Sequence, residues 1–245
     1  MKKIVILGAT SAMAHETAKL MAHEGHCLFL VARHADHLND IAQDLRVRGA
    51  SSVDTLALDM NDVSQHQALL QKILNTLGGL DILLIAYGTL GDQKACEQSY
   101  PKTLEELTTN FLSVVSFLTH TANYLESAGS GHIAVISSVA GDRGRQSNYV
   151  YGTAKGALSI FLQGLRNRLA PRGVHVTTLK PGFVDTPMTA DIKKNFLFAK
   201  SSAAGQCIYQ AIKSKKDIAY VPGFWRWIML VIKLVPEKIF KRLKM

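Results

Sequence analysis

Three residues of this 245-residue chain have the types and the spacing needed to move a proton to or from an oxygen atom. Tyr151 and Lys155 are four residues apart, which on a helix places a phenol and an ammonium on one face, a turn apart. The pKa of a free tyrosine is about 10, and a neighbouring cation lowers it. Ser138 precedes the tyrosine by thirteen residues, and its hydroxyl could hold a substrate oxygen against the phenol. The three residues predict an enzyme that protonates and deprotonates an oxygen.

The elements that must position these residues alternate along the chain. Short apolar runs occur at residues 3–7, 27–31, 53–58, 81–86, 132–136, 174–179 and 218–221. Between them, apolar residues recur every three or four positions, as in helices. This alternation predicts βαβ units and a parallel sheet covered on both faces. We expect the α/β class, with one doubly wound parallel sheet of about seven strands in residues 1–222 and a C-terminal helical appendage in residues 223–245.

The composition, with 47% hydrophobic and 19% charged residues, excludes disordered and collagen-like classes. The three cysteines are far apart and form no Cys-x-x-Cys pair, so we expect no metal site, no disulfide framework and a cytoplasmic location. The first apolar run is too short for a signal peptide. The net charge of +9 is concentrated in residues 193–245, which carry twelve basic and two acidic residues. No nucleic-acid-binding motif accompanies this charge, and we expect no nucleic-acid partner.

A turn of small residues follows the first predicted strand and leads into a helix that begins near Met13. The turn contains Gly8, Thr10, Ser11 and Ala12. A strand, a tight turn and a helix N-terminus form an anion site, because free backbone N–H groups and the positive end of the helix dipole face the same point. The turn predicts phosphate binding, but similar turns also occur in α/β proteins that bind no dinucleotide.

The end of the second predicted strand indicates which dinucleotide would bind. An acidic residue there would hydrogen-bond a ribose 2′-hydroxyl, whereas an arginine accommodates a 2′-phosphate. Arg33 and His34 follow a small alanine, so NADP(H) is favoured over NAD(H); the alternative is an exposed arginine that starts a helix. Asp59, followed by Met60, ends the third strand and is placed to contact adenine, or alternatively to cap the next helix.

Together these residues resemble the short-chain dehydrogenase/reductase superfamily over residues 3–188. The motifs that carry the resemblance are the Gly8 turn, Asp59, Gly88, Asn110, Ile136-Ser137-Ser138, Tyr151-x-x-x-Lys155 and Pro181-Gly182-Phe183-Val184-Asp185-Thr186. The resemblance implies a Rossmann-like fold, hydride transfer between NADP(H) and a small-molecule carbonyl/secondary-alcohol pair, and a homodimer or homotetramer.

For four residues the resemblance implies catalytic roles. Tyr151 would give or take the proton, and Lys155 would lower its pKa and bind the nicotinamide ribose. Ser138 would orient the carbonyl, and Asn110 would hold a water that relays protons. The implied cofactor-binding residues are Gly8, Thr10, Ser11, Ala12, Met13, Arg33, His34, Asp59, Met60, Ala86, Tyr87, Gly88, Tyr151, Lys155, Pro181, Gly182, Val184 and Thr186. The run Ile85-Ala86-Tyr87-Gly88 departs from the family pattern, because it lacks the asparagine that ties strand four to its neighbours and places a bulky Tyr87 near the cofactor.

The C-terminal segment, residues 223–245, combines an apolar run, two tryptophans and a stripe of basic residues. At roughly 100° per residue, one side carries Arg226, Lys233, Glu237, Lys241 and Lys244, and Trp225, Ile228, Met229, Ile232 and Ile239 lie largely opposite. The uncharged run is too short to span a bilayer, and Pro236 should kink or divide the helix. Such a segment suits a helix lying on a membrane surface. The alternatives are a lid over the substrate pocket and a contact with a second subunit.

The C-terminal segment, the Gly8 turn and residues 181–184 are also similar to the branch of the superfamily with reductases of lipid-linked keto-sugars, such as decaprenylphosphoryl-2-keto-ribose. This similarity implies a lipophilic or lipid-linked substrate and a place at the inner face of the membrane. The alternatives are a steroid or fatty-acyl ketone reductase and, outside the enzymes, an NADP-sensing or membrane-peripheral binding protein.

Overall fold

Seven parallel strands form the central sheet of the computed structural model, which describes residues 1–190 and 193–243. The strands of this part of the chain are β1 (Lys3–Leu7), β2 (Cys27–Ala32), β3 (Ser52–Ala57), β4 (Ile82–Ile85), β5 (Gly131–Ile136), β6 (Val174–Pro181), β7 (Val184–Asp185), β8 (Ala199–Lys200) and β9 (Ile218–Val221). The sheet order is β3-β2-β1-β4-β5-β6-β9. The predicted doubly wound α/β fold with seven strands is therefore confirmed.

Helices cover both faces of this sheet. They are α1 (Ala12–His23), α2 (Ala35–Val47), α3 (His66–Leu77), α4 (Gln93–Gln98), α5 (Tyr100–Leu107), α6 (Ser113–Ala128), α7 (Tyr149–Leu169), α8 (Ser201–Lys213), α9 (Trp225–Leu234) and α10 (Glu237–Phe240). Because successive strand side chains point to opposite faces, Ile4 and Ile6 pack under α1, α2 and α8, whereas Val5 and Leu7 pack under α3, α6 and α7. Both faces are buried, which explains why the strands read as continuous apolar runs.

The sheet order reverses between β1 and β4, which are neighbours in the sheet. In open α/β sheets the ligand cleft lies outside the carboxyl ends of the strands at such a reversal. Beyond the carboxyl end of β6, a separate two-stranded sheet pairs Val184 with Ala199 and Asp185 with Lys200. This small sheet could not be predicted, because two-residue strands are too short to show an alternating pattern.

The C-terminal segment is docked on the body of the domain through α9. Trp225 and Met229 are 3% and 0% exposed and pack with Val139. The indole of Trp225 lies so close to Gly182 that a Cβ there would collide with it. The apolar side predicted to meet a membrane is therefore largely a docking face, and the exception is Ile239, which is 54% exposed.

Arg143 fixes the end of α9. Its guanidinium donates to the carbonyl oxygens of Ile232 and Val235, at 2.6 Å each, and lies 3.6 Å from the centroid of the Phe240 ring. These bonds satisfy carbonyls that a helix C-terminus leaves without partners. Pro236 separates α9 from α10, as predicted. Lys244, which was predicted to extend the basic stripe, lies outside the described residues. Within residues 1–190 and 193–243, no helix is long and apolar enough to cross a membrane.

Candidate active site

A cleft of about 520 Å³ opens at the reversal of the sheet order. Its lining includes the four predicted catalytic residues, Asn110, Ser138, Tyr151 and Lys155, and the following predicted cofactor residues: Gly8, Thr10, Ser11, Ala12, Met13, Arg33, Asp59, Met60, Ala86, Tyr87, Gly88, Pro181, Gly182, Val184 and Thr186. His34 is the exception. It is exposed at the N-cap of α2, outside the lining, and its ring lies beside that of His37.

Tyr151 and Lys155 lie one turn apart near the start of α7, as their spacing predicts. Lys155 is only 3% exposed, and its Nζ atom lies 5.8 Å from the centroid of the Tyr151 ring. The same Nζ donates a 3.2 Å hydrogen bond to the carbonyl oxygen of Ile136, at the carboxyl end of β5. The ammonium is thus held between the helix and the sheet, next to the phenol.

The expected lowering of the Tyr151 pKa by Lys155 is not what the protein itself produces. Burial raises the pKa of Tyr151 to about 12, and the nearby hydroxyl of Ser138 opposes this rise only in part. Burial also lowers the pKa of Lys155 to about 8, because a cation in an apolar setting loses hydration. At neutral pH the phenol of Tyr151 therefore keeps its proton and can donate it, while the neighbouring Lys155 is an ammonium.

Two adjacent serines at the end of β5, Ser137 and Ser138, make different contacts. Ser137 is 1% exposed and donates to the backbone oxygen of Lys155, at 2.9 Å, while its oxygen also meets the Ser159 hydroxyl at 2.9 Å. These bonds tie the end of the strand to α7. Ser138 faces the cleft, and its oxygen accepts from the backbone N–H of Ala140 at 3.1 Å, which fixes the hydroxyl at the mouth of the loop.

Asn110 lies in a turn of π-helix, Thr108–Leu112, between α5 and α6. Such turns are often found at functional sites. The Asn110 side chain is fully buried: its Oδ1 accepts from the backbone N–H of Thr89, and its Nδ2 contacts the Thr89 hydroxyl and Glu106, all at 3.1 Å. The amide is therefore held rigidly by the loop that follows β4.

Glu106 is a cleft residue that the sequence analysis missed. Its two carboxylate oxygens accept from the Thr89 hydroxyl, at 3.0 Å each, and one of them accepts from Asn110. Its negative charge raises the pKa of both Tyr151 and Lys155. A signal was present, because Glu106 and Asn110 are four residues apart, the same spacing that identified Tyr151 and Lys155.

The turn after β1 has the features of an anion site. Gly8 has a φ of +82°, and a Cβ there would lie 2.5 Å from the backbone nitrogen of Tyr87, so only glycine fits. Ser11 occupies the N-cap of α1 without a side-chain capping bond, which leaves the first N–H groups of this helix to a ligand. Arg33 lies in the same cleft and is exposed, as both of its predicted alternatives require.

Asp59 and Tyr87 complete the lining on this side. Asp59 accepts from the backbone N–H of Asn61 at 2.9 Å, and its alternative as a helix cap is not adopted. The Tyr87 hydroxyl meets Ser113 on α6 at 3.1 Å, and burial raises the pKa of this phenol. The asparagine usual in the family would tie strand four to its neighbours. Here the Tyr87 hydroxyl ties the end of β4 to α6 instead.

The other side of the cleft is made by the loop before α7 and the segment after β6. Its lining residues are Val139, Arg145, Asn148, Phe183, Pro187, Met188 and Thr189. Trp225 and Met229 of α9 lie one layer behind, since they contact Gly182 and Arg145 but are not among the lining residues. Among the described residues, the C-terminal segment therefore supports this wall from behind and does not form its surface.

The family model for short chain dehydrogenase matches residues 2–196. An uncharacterized oxidoreductase of Mycobacterium tuberculosis is 33% identical over 240 residues, which is 98% of this chain and 96% of the relative. An uncharacterized oxidoreductase of Streptomyces coelicolor is 31% identical over 245 residues, 99% of this chain and 96% of the relative. The chain belongs to the short-chain dehydrogenase/reductase superfamily.

Solved structures show the same fold at low identity. Levodione reductase superimposes with a TM-score of 0.82 at 18% identity, covering 91% of this chain and 96% of its own. An NAD⁺-bound xylitol dehydrogenase superimposes with a TM-score of 0.77 at 17% identity, covering 86% of this chain and 91% of its own. The protein is an oxidoreductase of a family that acts on alcohol and carbonyl groups with a nicotinamide dinucleotide.

Proposed function

We propose that the protein interconverts a carbonyl and a secondary alcohol on a lipophilic or lipid-linked substrate, with NADP(H) as the preferred cofactor. The observation that carries this proposal is the meeting of Ser138, Tyr151 and Lys155 at one end of a cleft whose other end is the Gly8 turn. The dinucleotide would be held by the uncapped N-terminus of α1, by Arg33 and by the residues around Pro181, and when bound it supplies the hydride.

In the direction of reduction, Tyr151 gives its proton to the substrate oxygen. A phenol with a pKa of about 12 is protonated at neutral pH, as this step needs. Ser138 donates a hydrogen bond to the same oxygen and orients it. Lys155, which is charged below about pH 8, returns a proton to the phenolate, and Asn110 would hold the water that carries protons to Lys155 from the solvent side. In the direction of alcohol oxidation the same groups work in reverse, and the high pKa of Tyr151 makes this direction faster as the pH rises.

The variant Tyr151→Phe tests the reaction. It removes the proton donor but keeps the ring, so we expect turnover over a panel of ketones to fall about 1,000-fold. NADPH affinity, measured by fluorescence titration, should stay within about twofold, which corresponds to less than about 0.5 kcal/mol of binding free energy. Turnover that survives the substitution would show that another group supplies the proton. No turnover in the native enzyme, with NADPH still bound, would favour the non-catalytic sensor.

The variant Arg33→Asp tests the preference for NADP(H). The proposal is supported by an arginine, rather than a carboxylate, at the cleft end of β2. Loss of the cation and gain of a carboxylate should weaken NADPH binding by about tenfold or more and strengthen NADH binding. Unchanged relative affinities would mean that Arg33 is only a surface residue at the start of α2.

The exposed side of α9 supports contact with a membrane surface. Trp227, Val231 and Leu234 are 64%, 65% and 72% exposed, and Leu230 adjoins them. Arg226 and Lys233 on the same helix would meet anionic lipid headgroups. Co-sedimentation with phosphatidylglycerol vesicles, but not with phosphatidylcholine vesicles, is expected for the native protein and should be lost in Trp227→Ser/Val231→Ser.

We also propose that the protein is a cytoplasmic homodimer or homotetramer, which is supported by its membership of the family. Light scattering on the purified protein measures the assembly. A monomer at micromolar concentration would contradict this proposal. If the double variant above also changes the mass, the exposed side of α9 is a subunit contact rather than a membrane contact.

A further inference from the structure

The loop between β5 and α7 carries two arginines with opposite surroundings. Arg143 is fully engaged: it donates to backbone carbonyls at the end of α9 and pairs with Glu237 at 2.9 Å. Arg145, two residues later, lines the cleft that holds Ser138 and Tyr151. Its role is not explained by the fold or by the proton-transfer chemistry.

Arg145 is a partly buried cation whose charge is not matched by a carboxylate among the described residues. Its Nε–H is buried without a hydrogen-bond partner in residues 1–190 and 193–243. One terminal nitrogen meets the sulfur of Met229 at 3.4 Å, which is a weak acceptor. Burial lowers the pKa of Arg145, although an arginine stays charged at any physiological pH.

Asp142 is the nearby carboxylate, but its two oxygens are already used. One pairs with the ammonium of Lys180, and the other accepts from the Tyr220 hydroxyl at 2.7 Å. Asp142 therefore neutralises Lys180 beneath the loop and leaves Arg145 with an excess positive charge. A desolvated charge is unfavourable unless a partner compensates it. Because Arg145 lines the cleft, a molecule bound there can supply that partner.

Asn148 adds a second polar atom to the same wall. Its side-chain oxygen is buried without a partner among the described residues, and it also lines the cleft, three residues before Tyr151. The Asn148 backbone N–H donates to the Arg145 carbonyl at 3.2 Å, so one tight turn carries both side chains. An oxyanion bearing a neighbouring hydroxyl would satisfy both groups at once.

We propose that Arg145 binds an oxyanion of the substrate, a carboxylate or a phosphate, with Asn148 accepting from an adjacent donor. This inference rests on the proposed function and narrows its substrate to a ketone or alcohol with a negative charge beyond the reacting carbon. A guanidinium fork suits either anion, because both present two oxygens to parallel N–H groups.

Matched substrate pairs test this proposal. With NADPH as cofactor, kcat/KM is compared for 4-oxopentanoate and its methyl ester, and for dihydroxyacetone phosphate and dihydroxyacetone. We expect the charged member of at least one pair to be preferred by about tenfold or more, which is the effect of one charge-assisted bond. Arg145→Met, which keeps the length and the contact with Met229, should abolish that preference, and Arg145→Lys should keep part of it. Which pair responds separates carboxylate from phosphate recognition.

Two measurements remain informative without turnover. Thermal shifts are recorded with saturating NADPH, so that the dinucleotide fills its own phosphate sites, and with inorganic phosphate or 4-oxopentanoate added. Stabilisation by either anion in the native protein and its absence in Arg145→Met would support the proposal even if the reaction class were wrong. Equal behaviour of the charged and neutral probes, or of the native protein and Arg145→Met, would overturn it. A weaker NADPH affinity in Arg145→Met would assign the arginine to the cofactor and would also overturn it.

Discussion

The two walls of the cleft differ in how they are built. The cofactor wall, consisting of residues 8–13, 86–88, 110, 138, 151 and 155, stands on the ends of central strands, on the π-helical turn before α6 and on α7. The substrate wall, consisting of Arg145, Asn148 and residues 183–189, is made mainly of loops and includes the two-residue strand β7. It is supported from behind by α9, which Arg143 holds across 89 to 92 residues of chain.

The reaction chemistry and the substrate specificity are therefore placed on different walls. In the cofactor wall, buried polar groups such as Lys155 and Asn110 have protein partners, so the reacting groups are held rigidly. In the substrate wall, Arg145 and Asn148 have buried atoms without partners in the described part of the chain. Rigid, satisfied groups suit a reaction that is the same for every substrate, whereas unsatisfied groups suit recognition of one particular molecule.

After Tyr151→Phe, the largest expected loss of turnover lies at Ser138 in the cofactor wall. Ser138→Ala removes the hydroxyl that orients the substrate oxygen, and we expect kcat to fall by about 100-fold or more. Ser159→Ala is the matched control, because it deletes a buried hydroxyl that bonds Ser137 and the backbone oxygen of Lys155 but does not line the cleft. The control should cost about 1 kcal/mol of stability in a denaturant titration and leave kcat unchanged. Similar losses of kcat in both variants would mean that Ser138 acts only by packing.

The next effect concerns the support of the substrate wall. Trp225→Ala empties a site that is 3% exposed, and we expect a loss of about 3 kcal/mol in unfolding free energy or, if α9 undocks alone, rapid proteolysis after residue 223. Trp227→Ala is the control on the same helix, because Trp227 is 64% exposed and its loss should change stability by less than about 0.5 kcal/mol. Equal effects of the two substitutions would show that α9 is not docked in solution.

The cofactor wall could be predicted from the sequence because its geometry follows from local rules. A strand, a turn of small residues and a helix place Gly8 and Ser11 without knowledge of the rest of the fold. The spacing of Tyr151 and Lys155 fixes their common face of α7 in the same way. His34 shows the limit of such rules, since a residue adjacent to Arg33 in sequence lies outside the cleft.

The substrate wall could not be predicted, because long-range contacts decide it. Hydrophobic periodicity correctly placed Trp225 and Met229 on one side of α9, but did not show that this side packs against Gly182 rather than lipid. Arg145 has no carboxylate partner among the described residues because Asp142 pairs with Lys180, and these two residues are 38 positions apart in the chain. Likewise, the high pKa of Tyr151 comes from burial, which the spacing of two residues does not reveal.

The smallest expected effect lies at Glu106, which is bonded to Asn110 of the cofactor wall. The carboxylate of Glu106 raises the pKa of Lys155, which burial has lowered to about 8. In Glu106→Gln that opposing charge is gone, so the pKa of Lys155 falls further and the ammonium loses its proton at a lower pH. The basic limb of the kcat profile for ketone reduction should therefore move to lower pH, by up to about one unit. Glu105→Gln is the matched control, because that carboxylate pairs with Lys102 at the surface, and its profile should stay in place. A limb that moves to higher pH in Glu106→Gln, or moves equally in both variants, would show that Lys155 does not set the basic limb. The expected shift would show that the charge of Glu106 acts on Lys155.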